Sequence, residues 1–255
     1  MTATPAGMTY ADYLKLDRIL SAQQPLSDLH DEMLFIIIHQ TKELWMKELL
    51  HELRLAIALV ETDRFAEAYK AMARISRIQA VMTLSWDVLS TLTPVDYLKF
   101  RDVLGTSSGF QSAQFREIEF RLGLKEANFV NHYAEGSPEW TQLGRALAEP
   151  SLRDAAHAAL ERAGFDLGDR SVEALAGAWL AVYRDAERWF DLYELAEKLV
   201  DIDDALAAWR HKHVLTVERI IGNRPGTGGS AGAPYLRATL DKRAFPELWA
   251  LRTDL

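Results

Sequence analysis

The segment from Leu206 to Gly222, LAAWRHKHVLTVERIIG, holds two histidines whose spacing separates their roles. Residues three or four apart share a helical face, so His213 falls on an apolar stripe with Leu206, Trp209, Val217 and Ile220. His211 falls on the polar side. Neutral imidazole is the commonest metal ligand in proteins, and a tryptophan one turn earlier suits a flat hydrophobic partner. The stripe therefore predicts either a metal ligand at His213 or a core histidine bonded to a carbonyl.

A further histidine, His39, ends the apolar run LFIIIH, with Phe35 one helical turn before it. Residues 34–38 are apolar on every side of a helix, so we expect them to be buried. A polar ring at the end of such a run has to find a partner or line a cavity, because an unsatisfied buried group costs about 1–3 kcal/mol. His39 is therefore either a cavity residue or a core histidine with a carbonyl partner.

Two other stretches carry groups that suit a ligand with a carboxylate. Tyr97 and Arg101 are four apart on one helical face, and arginine is suited to bidentate recognition of carboxylates. An exposed pair in contact with solvent is the alternative. The segment from Gly226 to Gly232, GTGGSAG, lacks the lysine of a phosphate-binding loop. It is either a flexible linker or a mobile cover over a site, with Thr227 as its polar contact.

The segment from Glu48 to His51 has the Glu-x-x-His pattern of a di-iron site. Two such motifs hold iron in di-iron carboxylate bundles. Such a site needs a second copy, and the nearest match runs from Asp154 to His157, with aspartate in place of glutamate. Short motifs of this kind are frequent by chance. We interpret His51 as a surface residue and expect no role for His30, His132 or His157.

The composition narrows the class of protein. The 255 residues carry a net charge of −8, which disfavours nucleic acid and acidic membrane surfaces as partners. There is no cysteine, so disulfides, thiolate nucleophiles, iron–sulfur clusters and covalently attached c-type haem are excluded. The start, MTATPAGMTY, does not resemble a signal peptide, and no uncharged run reaches membrane-spanning length. We therefore expect a cytoplasmic protein without a membrane partner.

Helical periodicity runs through almost the whole chain, whereas two-residue alternation is nowhere convincing. Thr93, Pro94 and Asp96 have the pattern of a helix start, with threonine as the N-cap and proline at the first position. We expect an all-α chain, a single-domain multi-helix bundle over residues 1–255. The predicted helices cover residues 10–22, 28–59, 65–92, 111–122 (ended by Gly123), 152–163 and 172–221 (with a break near Asp201–Asp203), with one more helix around Leu236.

Taken together, these stretches resemble the tryptophan 2,3-dioxygenase family of haem enzymes, which open the indole ring. The resemblance covers most of the chain outside about residues 128–185, with its segments in the family's order. It implies an all-α bundle that encloses a haem pocket. The matching segments are TYADYLKLDRILSAQQPLS, HDEMLFIIIHQTKELWMKELLHEL, TLTPVDYLKFRDVLGTSSGFQSAQFREIEFRLG, AAWRHKHVLTVERIIG, GTGGSAGAPYL and FPELWALRT.

The resemblance implies roles for residues around the indole and the haem. His213 matches the proximal histidine that ligates the haem iron, and Trp86 and Ser108 match positions that line the haem. His39 matches the distal catalytic histidine that hydrogen-bonds the indole N–H, and Phe35 packs on the indole ring. The implied cofactor is haem b, one iron protoporphyrin IX per subunit, with O2 as the co-substrate.

The resemblance also implies which residues bind the amino-acid end of the substrate. Tyr97 and Arg101 match residues on its carboxylate side, and Thr227 matches the threonine that meets its ammonium and carboxylate groups. Residues 1–25 match an N-terminal segment that completes the pocket of a neighbouring subunit, through Tyr10, Tyr13 and Leu14. The implied assembly is a homotetramer built as a dimer of dimers.

The implied reaction is O2-dependent cleavage of the C2–C3 bond of L-tryptophan to N-formyl-L-kynurenine, the first step of tryptophan catabolism by the kynurenine route. Some relatives insert one oxygen atom and form an oxindole, and the sequence leaves that alternative open. A catalytically silent haem-binding or interaction protein on the same scaffold is a further alternative. The chain departs from the family at Lys42 and Met46, where many relatives have an aromatic residue, and at Ala231, where serine is usual. These three positions have no assigned role, and they leave fine substrate preference open.

Overall fold

The computed structural model describes residues 7–255, which form helices joined by turns without a strand among them. The prediction of an all-α chain is confirmed. Residues 1–6 of the predicted N-terminal contact segment lie outside the described residues. Within residues 7–255, no helix is both long and apolar enough to cross a membrane.

The α-helices of residues 7–255 are numbered in chain order. They are α1 (Tyr10–Leu14), α2 (Leu16–Leu20), α3 (His30–Glu61), α4 (Phe65–Leu89), α5 (Pro94–Phe100), α6 (Ala113–Leu122), α7 (Pro138–Ala148), α8 (Leu152–Arg162), α9 (Val172–Arg184), α10 (Phe190–Ile221), α11 (Ala233–Arg237) and α12 (Pro246–Ala250). Short 3-10 helices cover Arg101–Leu104, Gly109–Gln111, Ala127–His132 and Leu251–Thr253.

Three long helices form the centre of the bundle: α3 packs along α4, and α4 also packs along α10. Their shared interior is built from completely buried aliphatic side chains such as Leu53, Ile75 and Ile202. Burial of one such side chain stabilises the fold by about 1.5–3 kcal/mol. Because these interiors are close-packed, the three helices are held at fixed separations, and side chains on their facing surfaces are held with them.

A smaller apolar cluster lies beside this centre, where α6, α7 and the turn Ala127–His132 meet. Phe120 and Leu143 are completely buried in it. Sequence periodicity did not predict α7. The helix nevertheless has a clear start signal, since the Ser137 hydroxyl accepts a hydrogen bond from the Trp140 N–H and Pro138 follows at the first position.

The predicted start of α5 and the predicted end of α6 are confirmed. The Thr93 hydroxyl accepts a hydrogen bond from Asp96 N over 3.2 Å and donates to the Asp96 carboxylate over 2.6 Å. Helix α6 ends at Gly123, where φ is +124° and a Cβ atom would lie 2.9 Å from Arg153 Cβ. Glycine alone avoids both the backbone strain and this overlap.

Two predicted helix boundaries are corrected by the structure. The helix predicted over residues 10–22 is divided at Lys15, whose backbone is left-handed, with φ 53° and ψ 45°. A left-handed residue interrupts the run of right-handed turns, so α1 and α2 are separate helices. The predicted break near Asp201–Asp203 is wrong, because α10 continues through it. The interruption lies instead between Arg184, where α9 ends, and Phe190, where α10 begins.

The expectation that residues 34–38 are all buried is also wrong. Ile38 is buried, but the Ile37 side chain is 41% exposed. Phe35 and Ile36 line a cavity described below. The run lies near the start of α3, where neighbouring helices cover only part of its circumference, so a continuous apolar run does not ensure burial on all sides.

Asp203, where the sequence predicted a helix break, has a structural role. Asp203 is completely buried. Its carboxylate accepts hydrogen bonds from Ala244 N at 3.0 Å, from Phe245 N at 3.2 Å and from Trp249 Nε1 at 2.9 Å. These bonds hold the C-terminal segment, with α12, against α10.

We predict that Asp203→Ala destabilises the protein by about 3 kcal/mol, because it leaves two buried backbone N–H donors and the partly buried Trp249 N–H without their acceptor. Chemical denaturation followed by circular dichroism measures the change. Asp204→Ala is the matched control, since Asp204 is the next residue on α10 and is exposed. Equal free energies of unfolding for the two variants would contradict the anchoring role.

Candidate functional site

A cavity of about 640 Å3 lies at the centre of the bundle, between α3, α4 and α10. Its volume is within the range of small-molecule and cofactor sites. Its wall also includes residues from α5, α6 and α11, from the two loops 105–112 and 224–232, and from the segment before α3. The structure brings together in this wall the following predicted site residues: Phe35, His39, Trp86, Tyr97, Ser108, His213 and Thr227.

His213 contributes an imidazole from α10 to one side of the cavity. Its ring stacks on Trp86, with centroids 4.3 Å apart and planes at 11°, and lies 5.1 Å from the Trp209 ring. Burial, reinforced by the nearby Lys42 and His39, lowers the pKa of His213 to about 3. The ring is therefore neutral at neutral pH and keeps a lone pair, as a metal ligand requires.

The helical phase inferred from the sequence is confirmed for the neighbouring histidine. His211 is exposed, and its Nδ1 lies 3.0 Å from Ala207 O, one turn earlier on α10. The two histidines of this helix therefore point to different surroundings.

His39 contributes the second imidazole, from α3. Its Nδ1 lies 2.7 Å from Phe35 O, and because a carbonyl only accepts, Nδ1 carries the proton. Burial lowers the pKa of His39 to about 4, more strongly than this hydrogen bond raises it, and Lys42 lowers it further. The ring is neutral, so Nε2 is an acceptor for an N–H group on a ligand. The Phe35 ring packs on it, with centroids 4.2 Å apart.

Tyr97 and Arg101 lie together at one end of the cavity but differ in their contacts. Tyr97 is buried and lines the wall. Burial raises the pKa of its phenol more than the Arg101 guanidinium lowers it, so the pKa lies above its ordinary value. The phenol is therefore protonated at neutral pH. Arg101 is outside the set of residues that line the cavity, and its Nη2 donates to Pro225 O over 2.6 Å. Arg101 thus holds the base of the glycine-rich segment.

The glycine-rich segment covers the cavity, which favours the cover over the linker interpretation. The Thr227 hydroxyl donates to Ser107 O over 2.5 Å. A Cβ atom on Gly228 would lie 2.6 Å from Ser108 Cβ, so the two loops touch where glycine leaves no side chain between them. Loop 224–232 is therefore docked on loop 105–112.

The sequence interpretation missed a group of buried cations in the wall. Arg116 and Arg210 are buried, line the cavity and share one carboxylate, with Glu119 accepting from Arg116 Nη1 at 2.7 Å and from Arg210 Nη2 at 2.8 Å. The only signal in the sequence was the position of Arg210 directly after Trp209, which belongs to the apolar stripe of His213.

Several hydrogen-bond donors in the wall lack an acceptor within the described part of the chain. They are Lys42 Nζ, Trp86 Nε1, Arg116 Nε and Trp209 Nε1. Buried donors are almost always satisfied in folded proteins. A cavity lined by aromatic rings, two neutral imidazoles and orphaned donors fits a flat apolar ligand that carries acceptor groups at its edge.

Tyr10, Tyr13 and Leu14 lie outside this cavity wall. The side chains of Tyr10 and Tyr13 are 76% and 73% exposed. The segment after them is fixed to α3, since Gln40 Nε2 donates to Ala22 O over 3.0 Å and the buried Glu32 carboxylate accepts from Leu26 N over 2.8 Å.

The di-iron alternative is not supported by the geometry. His51 is exposed, as predicted, and His157 is buried with its Nε2 2.8 Å from a Glu247 carboxylate oxygen. Among residues 7–255, no group of three or more His, Cys, Asp or Glu side chains is arranged to hold a metal ion.

Known proteins resemble this sequence over nearly its whole length. The family described as tryptophan 2,3-dioxygenase matches residues 1–170 and 166–255. A tryptophan 2,3-dioxygenase of Caulobacter vibrioides is 60% identical, covering 97% of this chain and 98% of its own. Enzymes of the same name from Exiguobacterium sibiricum and Bacillus thuringiensis subsp. konkukian are 51% and 50% identical, each covering 97% of this chain and 93% of its own length.

We predict that Gly228→Ala opens the cover, because forcing a methyl group against Ser108 costs about 1–3 kcal/mol of loop docking. Limited proteolysis with a protease of broad specificity should cut loop 224–232 faster than in the unaltered protein. Gly109→Ala is the control, since a Cβ atom there meets nothing within 4 Å. Unchanged cleavage of Gly228→Ala would show that the loops do not depend on this contact.

Proposed function

Because the chain belongs to the tryptophan 2,3-dioxygenase family, we propose that it cleaves the indole C2–C3 bond of L-tryptophan with O2, giving N-formyl-L-kynurenine. This reaction opens tryptophan catabolism by the kynurenine route. One observation carries the proposal: two neutral imidazoles, His39 and His213, line one cavity from two different long helices. The shared name of the relatives favours dioxygenation over formation of an oxindole.

The proposed cofactor is haem b, one per subunit, whose iron would be held by His213. The neutral imidazole, the stacked Trp86 ring and the apolar wall support this assignment. The orphaned Trp209 Nε1 and Arg116 Nε are donors suited to a propionate group, and Ser108 lines the same cavity. When bound, haem supplies the chemistry that allows O2 to react with the ring.

The residues on the other side of the cavity orient the indole. His39 Nε2 is free to accept the indole N–H, while Phe35, already packed on the His39 ring, presents a flat face to the indole. A histidine with a pKa of about 4 is a weak base, and the indole N–H is a weak acid. We therefore assign His39 the role of holding the N–H in place, with no requirement for full proton transfer.

The amino-acid end of tryptophan is proposed to bind at Tyr97, Arg101 and Thr227. A guanidinium has five N–H donors, so Arg101 can hold a carboxylate while Nη2 keeps its bond to Pro225 O. The Thr227 hydroxyl donates to Ser107 O, and its lone pairs remain available to an ammonium group. Fixing both ends of the substrate delivers the indole edge in one orientation.

We also propose that the whole chain is one haem-binding domain that assembles as a homotetramer, a dimer of dimers. Segment 1–25 would complete a neighbouring subunit's pocket through Tyr10, Tyr13 and Leu14. The strong exposure of Tyr10 and Tyr13 supports this arrangement. So do large exposed apolar side chains on α3 and α4, since contiguous apolar surface marks protein interfaces. These side chains include Leu44, Trp45, Leu55, Val81, Leu84 and Val88.

The two histidines are distinguished by separate substitutions. We predict that His213→Ala loses haem, while His39→Ala retains haem and loses less than about a hundredfold in kcat/KM, the lower end of general acid–base effects. Haem content per chain and the visible spectrum, with turnover of tryptophan, measure both. Full haem content and an unchanged spectrum in His213→Ala would contradict the axial assignment.

The carboxylate contact is tested at Arg101. Arg101→Ala should lose about 2–4 kcal/mol of substrate affinity or rate, because a charge-assisted contact is removed. Tryptamine, which lacks the carboxylate, should lose far less, so the preference for tryptophan collapses. Lys99→Ala is the control, because Lys99 lies two residues earlier in α5, is exposed and pairs with Asp96. Wild-type kinetics in Arg101→Ala would refute the contact.

A further inference from the structure

Lys42 places a buried amine in the cavity wall with no hydrogen-bond partner. The residue is 5% exposed, and its Nζ lies 2.9 Å from the centroid of the Trp86 ring. No acceptor within the described residues contacts Nζ. An unpaired buried amine is costly, so its presence points to a ligand that supplies what the protein does not.

The cavity wall around Lys42 contains buried donors without acceptors. Trp86 and Trp209, with ring centroids 5.5 Å apart, both have buried indole N–H groups without an acceptor. The carboxylates that line the cavity accept hydrogen bonds from other groups, and Glu32 accepts from Leu26 N over 2.8 Å. Glu43 accepts from Gln114 Nε2 over 2.7 Å, and Glu119 is shared by Arg116 and Arg210. The ligand at this end of the cavity must therefore bring acceptor atoms.

The contact of Lys42 with Trp86 favours one ligand over the other. Lys42 Nζ lies over the Trp86 ring, and the ring of His213, the proposed iron ligand, stacks on the same indole. The proposed substrate carboxylate site lies with Arg101, whose guanidinium is bonded to Pro225. An anionic group beside Lys42 is therefore more simply a carboxylate of the porphyrin than one of the amino acid.

We propose that Lys42 anchors the cofactor of this chain by donating a charge-assisted hydrogen bond to a porphyrin carboxylate. The proposal rests on the proposed haem binding and adds a residue to which the family resemblance assigns no role. Burial without a partner lowers the pKa of Lys42 to about 6. An adjacent carboxylate favours the charged amine, so binding would restore the ammonium.

The test compares haem with its dimethyl ester, in which both carboxylates are neutralised, on purified apoprotein. Lys42→Met keeps the length of the side chain and removes its charge. We expect its haem affinity to fall about tenfold, the value of one charge-assisted hydrogen bond. The affinity for the dimethyl ester should be the same in Lys42→Met and the unaltered chain. Lys47→Met is the control, because Lys47 lies on the same helix and is exposed.

A second readout separates ligand binding from a structural role. Apoprotein carrying Lys42→Met should unfold at a higher denaturant concentration, because an unpaired buried amine has been removed, while its haem affinity falls. A structural contact would move both quantities in the same direction. Lys42→Arg, which keeps the cation, should retain tighter binding of haem than of the ester.

Different results would contradict the Lys42 contact and the proposed haem binding. An unchanged haem affinity in Lys42→Met, or an equal loss for haem and ester, overturns the carboxylate contact. A changed ferric spectrum with an equal loss for both porphyrins would instead assign the amine to the iron. If the unaltered chain binds neither porphyrin, the proposed function fails as well, which the first titration reveals.

Discussion

The removal of two imidazoles from water is the constraint on which the site depends. His39 and His213 belong to α3 and α10, two helices of 32 residues each that share α4 as a neighbour. Desolvation outweighs every other influence on their pKa values and keeps both rings uncharged. The packed interior beneath them holds the ring positions, because close-packed side chains leave the helices no freedom to slide. The packing of the hydrophobic core therefore fixes the positions of the two imidazoles in the site.

Much of this arrangement was predictable from local patterns. The phase of a helix separates His213 from His211 without any tertiary information, and the start of α5 follows from Thr93 and Pro94. What was missed depends on distant partners. Asp203 resembles a helix breaker until Ala244 and Phe245 bring it their N–H groups from the far end of the chain.

The buried cations of the wall were unpredictable for the same reason. Arg116 and Arg210 come from different helices and meet only through Glu119. Helical periodicity assigns a charged residue to solvent by default, so a buried charge is visible only when its counter-charge is placed in space. The resemblance to a family supplied roles for the histidines but none for Lys42, where the chain departs from the family.

The contact between Gly228 and Ser108 also bears on how the cavity opens at this loop. Gly228 carries no side chain that could rotate aside, since its backbone lies directly against the Ser108 side chain. Opening therefore requires the main chain of segment 224–232 to lift together with its bonds to Ser107 and Arg101. Such movements take microseconds or longer, whereas a side-chain flip takes picoseconds to nanoseconds. The passage of small molecules beneath this loop is consequently governed by backbone motion.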